Sequence, residues 1–214
     1  MTKISKKTSK ILIDYYHADN LIKLEAEVKI LIKKFPNEIF LHNIFGMAFV
    51  KQKKYRKALT AFYNALMIHP SNPEILCNIG NVYYAQGNID QSVKEYKKAI
   101  EIKPDYAQAY YNIGNVNKDK FNFKNAIFYY EKSIKIKPDY AEAYCNLGNI
   151  KKYQGNFNEA IINYHKALKI NVNYEAAFIN LSYLYLSMEN FKDGWRGHEE
   201  RNEIKIIFKN LNLD

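Results

Sequence analysis

The groups through which this chain of 214 residues could hold a metal or run covalent chemistry are few and scattered. The histidines are His17, His42, His69, His165 and His198, and no two stand four apart as a helical metal pair would. Cys77 and Cys145 have no histidine or cysteine partner at zinc-ligand spacing. There is no glycine-rich phosphate loop and no Gly-x-Ser-x-Gly nucleophile turn. We therefore expect no catalytic residue, no metal and no cofactor. What does recur is the side-chain amide. Asn78, Asn112, Asn146 and Asn180 are 34 residues apart, and Asn81, Asn115 and Asn149 form a second such series. An amide offers two N–H donors and a carbonyl acceptor, so it can pair with the main chain of an extended peptide without reading its side chains. Seven asparagines in helix interiors cost on the order of 3 kcal/mol against alanine. Two gains could offset that cost: capture of a ligand backbone, or bonds between neighbouring helices that set their stacking.

Bulk composition narrows the partners. The formal charge is +10 with pI about 9.3, but the lysines are spread through every segment rather than clustered. RNA binding through a basic surface is thus a further alternative that the scatter argues against. The longest apolar stretch, Ile39 to Val50, is short and contains His42 and Asn43, so no membrane span is expected. The basic start "MTKISKKTSK" lacks the apolar core of a signal peptide. Two cysteines make no disulfide framework, and a cytoplasmic setting is the expectation.

The elements that carry the amides follow from the same period. Pro36, Pro70, Pro104 and Pro138 are in register, as are Gly46, Gly80, Gly114 and Gly148. So are Phe62, Tyr96, Tyr130 and Tyr164, and the small residues Ala65, Ala99, Ser133 and Ala167. Several series sharing one period indicate a repeat architecture. In the copy beginning at Pro73, helical spacing predicts one helix from about Glu74 to Gln86 and a second from about Asp90 to Ile102, with a turn at Gly87–Asn88. Gly80 lets the second helix approach closely, and Tyr96 fills the space between the two. One pair cannot bury its apolar faces alone, so the copies must stack. Asn117 and Lys151 replace Tyr83 in later copies, which should thin the core there.

The run "PEILCNIGNVYYAQGNIDQSVKEYKKAIEIKP" (Pro73 to Pro104) resembles the tetratricopeptide repeat. The resemblance implies an all-α fold, a right-handed superhelical solenoid of antiparallel helix pairs. It divides the chain into a degenerate helix pair (1–38), four repeats (39–174), and a partial repeat with a capping helix (175–214). By family analogy the first helix of each pair lines a concave, peptide-binding face. That face would present Asn78, Asn81, Asn112, Asn115, Asn146, Asn149, Asn180, Tyr84, Tyr111, Lys118 and Lys152. The tetratricopeptide part of O-linked N-acetylglucosamine transferase carries a similar "NLGN" ladder, and there the resemblance implies backbone recognition. The lysine by which other members clamp acidic tails is missing: Asn43, Cys77, Tyr111, Cys145 and Ile179 stand in its place.

The segment "NFKDGWRGHEERNEI" (Asn190 to Ile204) resembles the Gly-Trp-x-x-Tyr-Glu-x-Arg ending of bacterial arrays that a glycosyltransferase-like domain often follows. The few residues after Arg201 hold no such domain, so a capping helix with Trp195 covering the last apolar face is the simpler reading. The expectation is a non-catalytic scaffold for a protein or extended peptide. The alternative is a substrate-recognition arm serving a glycosyltransferase.

Overall fold

The computed structural model describes residues 4–188, and every regular element among them is an α-helix. The helices come in pairs: α1 (Lys6–His17) with α2 (Leu21–Lys34), α3 (Ile39–Lys51) with α4 (Tyr55–Ile68), and α5 (Pro73–Ala85) with α6 (Ile89–Ile102). Then follow α7 (Ala107–Asp119), α8 (Phe123–Ile136), α9 (Ala141–Tyr153) packed on α10 (Phe157–Ile170), and α11 (Glu175–Ser187). The chain divides into two compact units between Ala109 and Tyr110, within α7.

Local chemistry places the helix ends. Ser5 Oγ accepts from the Thr8 amide at 3.0 Å and starts α1. Asn72 does the same for Ile75 at 3.1 Å, with Pro73 at the first helical position, where it lacks only a donor that would go unused. Within pairs the link is a left-handed turn at Asp19, Lys53, Gly87, Phe121 and Gly155, one per repeat, with φ from 55° to 77°. In the α5–α6 turn the Asn88 amide reaches Tyr83 O at 2.8 Å and the Gly87 amide reaches Tyr84 O at 3.0 Å, closing the helix with its own orphan carbonyls. Between pairs the chain straightens. His69, Lys103 and Lys137, each before a proline, have φ of −140°, −132° and −126°. Asn171 takes φ −133° although Val172 follows it, so this corner forms without the proline.

The glycine and aromatic series meet as the spacing predicts. A Cβ on Gly114 or Gly148 would sit 2.6 Å from Cε1 of Tyr130 or Tyr164, far inside van der Waals contact. Only glycine lets the ring lie flat against the first helix. Tyr96, Tyr130 and Tyr164 are fully buried, as is Phe62 on Gly46. Leu24, Val28 and Leu12 give the degenerate first pair its own core with Leu41 and Ile44. At the Tyr83 position of two later repeats, polar side chains take the tyrosine's place. Asn117 Nδ2 donates to Ile113 O at 2.8 Å, and Lys151 pairs with Glu159 at 2.6 Å.

Candidate peptide-binding face

The second asparagine series is tied to the buried tyrosines. Tyr96 OH donates to Asn81 Oδ1 at 2.8 Å, Tyr130 OH to Asn115 Oδ1 at 2.7 Å, and Tyr164 OH to Asn149 Oδ1 at 2.8 Å. Each bond joins the two helices of one repeat across 15 residues of sequence. A phenol sunk in an apolar core needs such an acceptor. The remaining repeat has Phe62, which has no hydroxyl, and there the asparagine's place is taken by Met47, packed in the same core. The exchange of Tyr–Asn for Phe–Met was readable in the sequence and is the signal the spacing argument missed.

The first series points back along the chain to the preceding repeat. Asn78 Nδ2 donates to Asn43 Oδ1 at 2.9 Å, and Asn43 in turn donates to Glu74 Oε1 at 2.8 Å. Asn146 Nδ2 donates to Asn115 Oδ1 at 3.0 Å and to Tyr111 OH at 3.2 Å. Asn180 Nδ2 approaches Cys145 Sγ at 3.9 Å, a weak bond. The acceptors Asn43, Tyr111 and Cys145 each stand 35 residues earlier, at the position where other family members carry the clamp lysine. Asn112 is buried, at 7% exposure.

The other expected site residues separate by exposure. Tyr111 is half-buried, its ring 4.8 Å from that of Tyr140 and 5.7 Å from that of Tyr130, and burial pushes its phenol pKa up. Tyr84, Lys118 and Lys152 are half-exposed. Tyr183, at the register of Asn149, is exposed and was not foreseen. Glu74 and Glu142, also on first helices, are exposed.

The cysteines offer no nucleophile. Both thiols are free and buried. Burial, helped by the Glu74 carboxylate, pushes Cys77 up to about 12, and burial raises Cys145 as well. A thiol with a raised pKa is not a thiolate at neutral pH. Among the described residues no three His, Cys, Asp or Glu side chains gather as a metal site would need, and no helix is long and apolar enough to cross a membrane. The segment from Asn190 to Ile204, with Trp195 and His198, lies outside the described residues.

Paired helices, left-handed intra-pair turns and a glycine–aromatic lock in each full repeat define an α-helical repeat protein. Models described as TPR repeat match residues 46–87 and 80–120, and models described as Tetratricopeptide repeat match 107–140 and 141–174. The chain belongs to the tetratricopeptide repeat family. No curated protein matches it. Among solved structures it is similar to MamA, with 22% identity over 77% of this chain and 96% of that one, TM-score 0.61. It is similar to PilF of Pseudomonas aeruginosa, with 14% identity over 95% and 90% of the two chains, TM-score 0.72. YrrB, described as a tetratricopeptide repeat protein with an unusual peptide-binding site, shares 18% identity over 83% and 91%, TM-score 0.54. At these identities the likeness is one of fold.

Proposed function

We propose that the chain is a non-catalytic scaffold that binds a protein through an extended segment laid along the first-helix face. The observation that carries this reading is the tyrosine lock on the amides. The carbonyl of Asn115 or Asn149 accepts from a buried phenol, which fixes the plane of the amide. What such an amide offers a ligand is therefore N–H donation to a peptide carbonyl, from a group already held in place. Preorganised donors lose little entropy on binding. Tyr183, Lys118 and Lys152, on the first helices of the same unit, add aromatic and cationic groups that are half-exposed or exposed. The peptide-binding site named for YrrB, a protein of the same fold, supports a peptide as the ligand type.

The test uses random peptides displayed on phage and panned against the whole chain. The Asn149→Met, Tyr164→Phe double variant copies the chain's own Met47–Phe62 pair, so it keeps the packing and removes the amide. Loss of affinity for the selected peptides assigns the amide to ligand binding. Unchanged affinity assigns it to stacking alone. A second reading, in which the chain serves as the recognition arm of a glycosyltransferase, rests on the Trp195 segment and the "NLGN" ladder. Co-purification with a transferase catalytic chain would favour it, and its failure to co-purify would count against it.

A further inference from the structure

The turn from α7 to α8 differs from the turns of the repeats on either side of it, while Asp19 and Lys53 hold the same position in the first two turns. Gly87 and Gly155 occupy the left-handed position of their turns, where a missing Cβ removes the strain. The α7–α8 turn places Phe121 there, at φ 56° and 71% exposed. A bulky residue in this conformation is an outlier that something must compensate. At the end of α9, Tyr153 is 69% exposed where Ala85 closes α5. The three rings of Phe121, Phe123 and Tyr153 gather at one edge of the unit. Phe123 and Tyr153 have centroids 4.8 Å apart, and Phe121 stands 6.0 Å from Phe123 and 6.5 Å from Tyr153. With Lys118, Asp119, Asn149 and Ile150 they line an open cleft of about 360 Å³. Repeat packing does not require Phe121 or Tyr153, because other copies fold with glycine and alanine in their places.

The charge around the cleft has one dominant sign. Lys118 forms part of its wall. Lys120 and Lys124 flank the two phenylalanines in sequence and are exposed, and Lys152 precedes Tyr153. Asp119, also in the wall, pairs with Lys118 at 3.5 Å, so the excess positive charge comes from the three lysines that flank the lining residues.

We infer that this cleft seats one apolar side chain of a partner segment that is acidic on either side of it. The inference rests on the peptide-binding reading above and adds its anchor. Asn149 and Lys118 belong both to the first-helix face and to the cleft. The main chain of the segment would pass the amide while its aliphatic or aromatic side chain enters among the rings. Exposed apolar surface rimmed by charge is the kind of patch that marks an interaction site, and buried side chains at such centres carry most of the binding energy.

The experiment measures fluorescence anisotropy of labelled synthetic peptides with the full chain. One peptide carries a central leucine among aspartates and glycines. A second replaces the leucine with glycine, and a third replaces the aspartates with lysines. The acidic leucine peptide should bind, the glycine version about tenfold more weakly, and the lysine version not at all. The Phe121→Gly, Tyr153→Ala double variant, which copies Gly87 and Ala85, should lose about tenfold in affinity while keeping its helical melting curve. Equal affinity of the double variant and the parent chain overturns the inference, as does equal binding of the acidic and lysine peptides, or no binding of the acidic leucine peptide. If phage-selected peptides still bind while the acidic leucine peptide does not, the scaffold reading stands and the cleft inference falls. If no peptide binds at all, both fall.

Discussion

Tyr164 donates its hydroxyl to Asn149 Oδ1 at 2.8 Å, joining α10 to α9 from inside the core. Asn149→Ala should leave that phenol buried without an acceptor and destabilise the chain by about 1–3 kcal/mol. Tyr164→Phe in the same background should recover most of the loss, since it removes the unpaired group. Chemical denaturation of the parent, both single variants and the double variant gives the coupling directly. A coupling near zero would show that the hydroxyl finds water instead.

Gly148 lies beneath the same ring. Gly148→Ala would bring a methyl to 2.6 Å from Tyr164 Cε1, and the ring has no open side to move into. The loss should be at least about 1–3 kcal/mol, the usual cost of overpacking, despite alanine's better helix propensity. Gly148→Ala with Tyr164→Leu should be milder than Gly148→Ala alone, read as the midpoint of urea unfolding.

Ser133 breaks a series of alanines, and its hydroxyl is fully buried with no hydrogen-bond partner among the described residues. Ser133→Ala should therefore stabilise the chain by about 1 kcal/mol, relieving a stranded polar group and improving helix propensity. A rise in Tm confirms it, and a fall would mean the hydroxyl is satisfied in solution.

His165 is held by Tyr185 OH at 3.2 Å, and burial lowers its pKa below the ordinary 6.5. The unfolded chain then takes up a proton at higher pH than the folded one. The histidine's contribution is fully present above about pH 6.5 and is lost as pH falls through the depressed folded value. His165→Tyr copies Tyr63, which meets Tyr83 OH at 2.9 Å in the equivalent place. This variant should flatten the fall in Tm as pH drops below about 6.5.

The thiols give a check on the folded core. Cys77, raised to about 12 by burial and the nearby carboxylate, and Cys145, also raised, should resist alkylation at pH 7.5 and react fully in denaturant. Rapid labelling of the native chain would show that α5 or α9 opens readily.

Much of the architecture was legible from spacing, for a definite reason. The 34-residue period superposes glycine on glycine and aromatic on aromatic, and packing physics leaves those residue types few alternative roles. The expected helix from Glu74 to Gln86 is α5, Pro73–Ala85, and the expected one from Asp90 to Ile102 is α6, Ile89–Ile102. The amides were legible as positions but not as bonds. An asparagine side chain serves a ligand, a phenol or a neighbouring helix equally well. Which of these it serves depends on groups 15 or 35 residues away being brought within 3.5 Å, as Tyr164 is to Asn149 and Tyr111 to Asn146. Phe121 is the sharper case. In sequence it is one more aromatic beside a turn. Its meaning comes from a backbone φ of 56° and from Tyr153 meeting it across 32 residues, and neither is written in a local pattern. Periodicity dictates the helix pairs because each copy repeats the same short-range constraints. Folding alone decides which side chains are spent inside the core and which are left at its edge to meet something else.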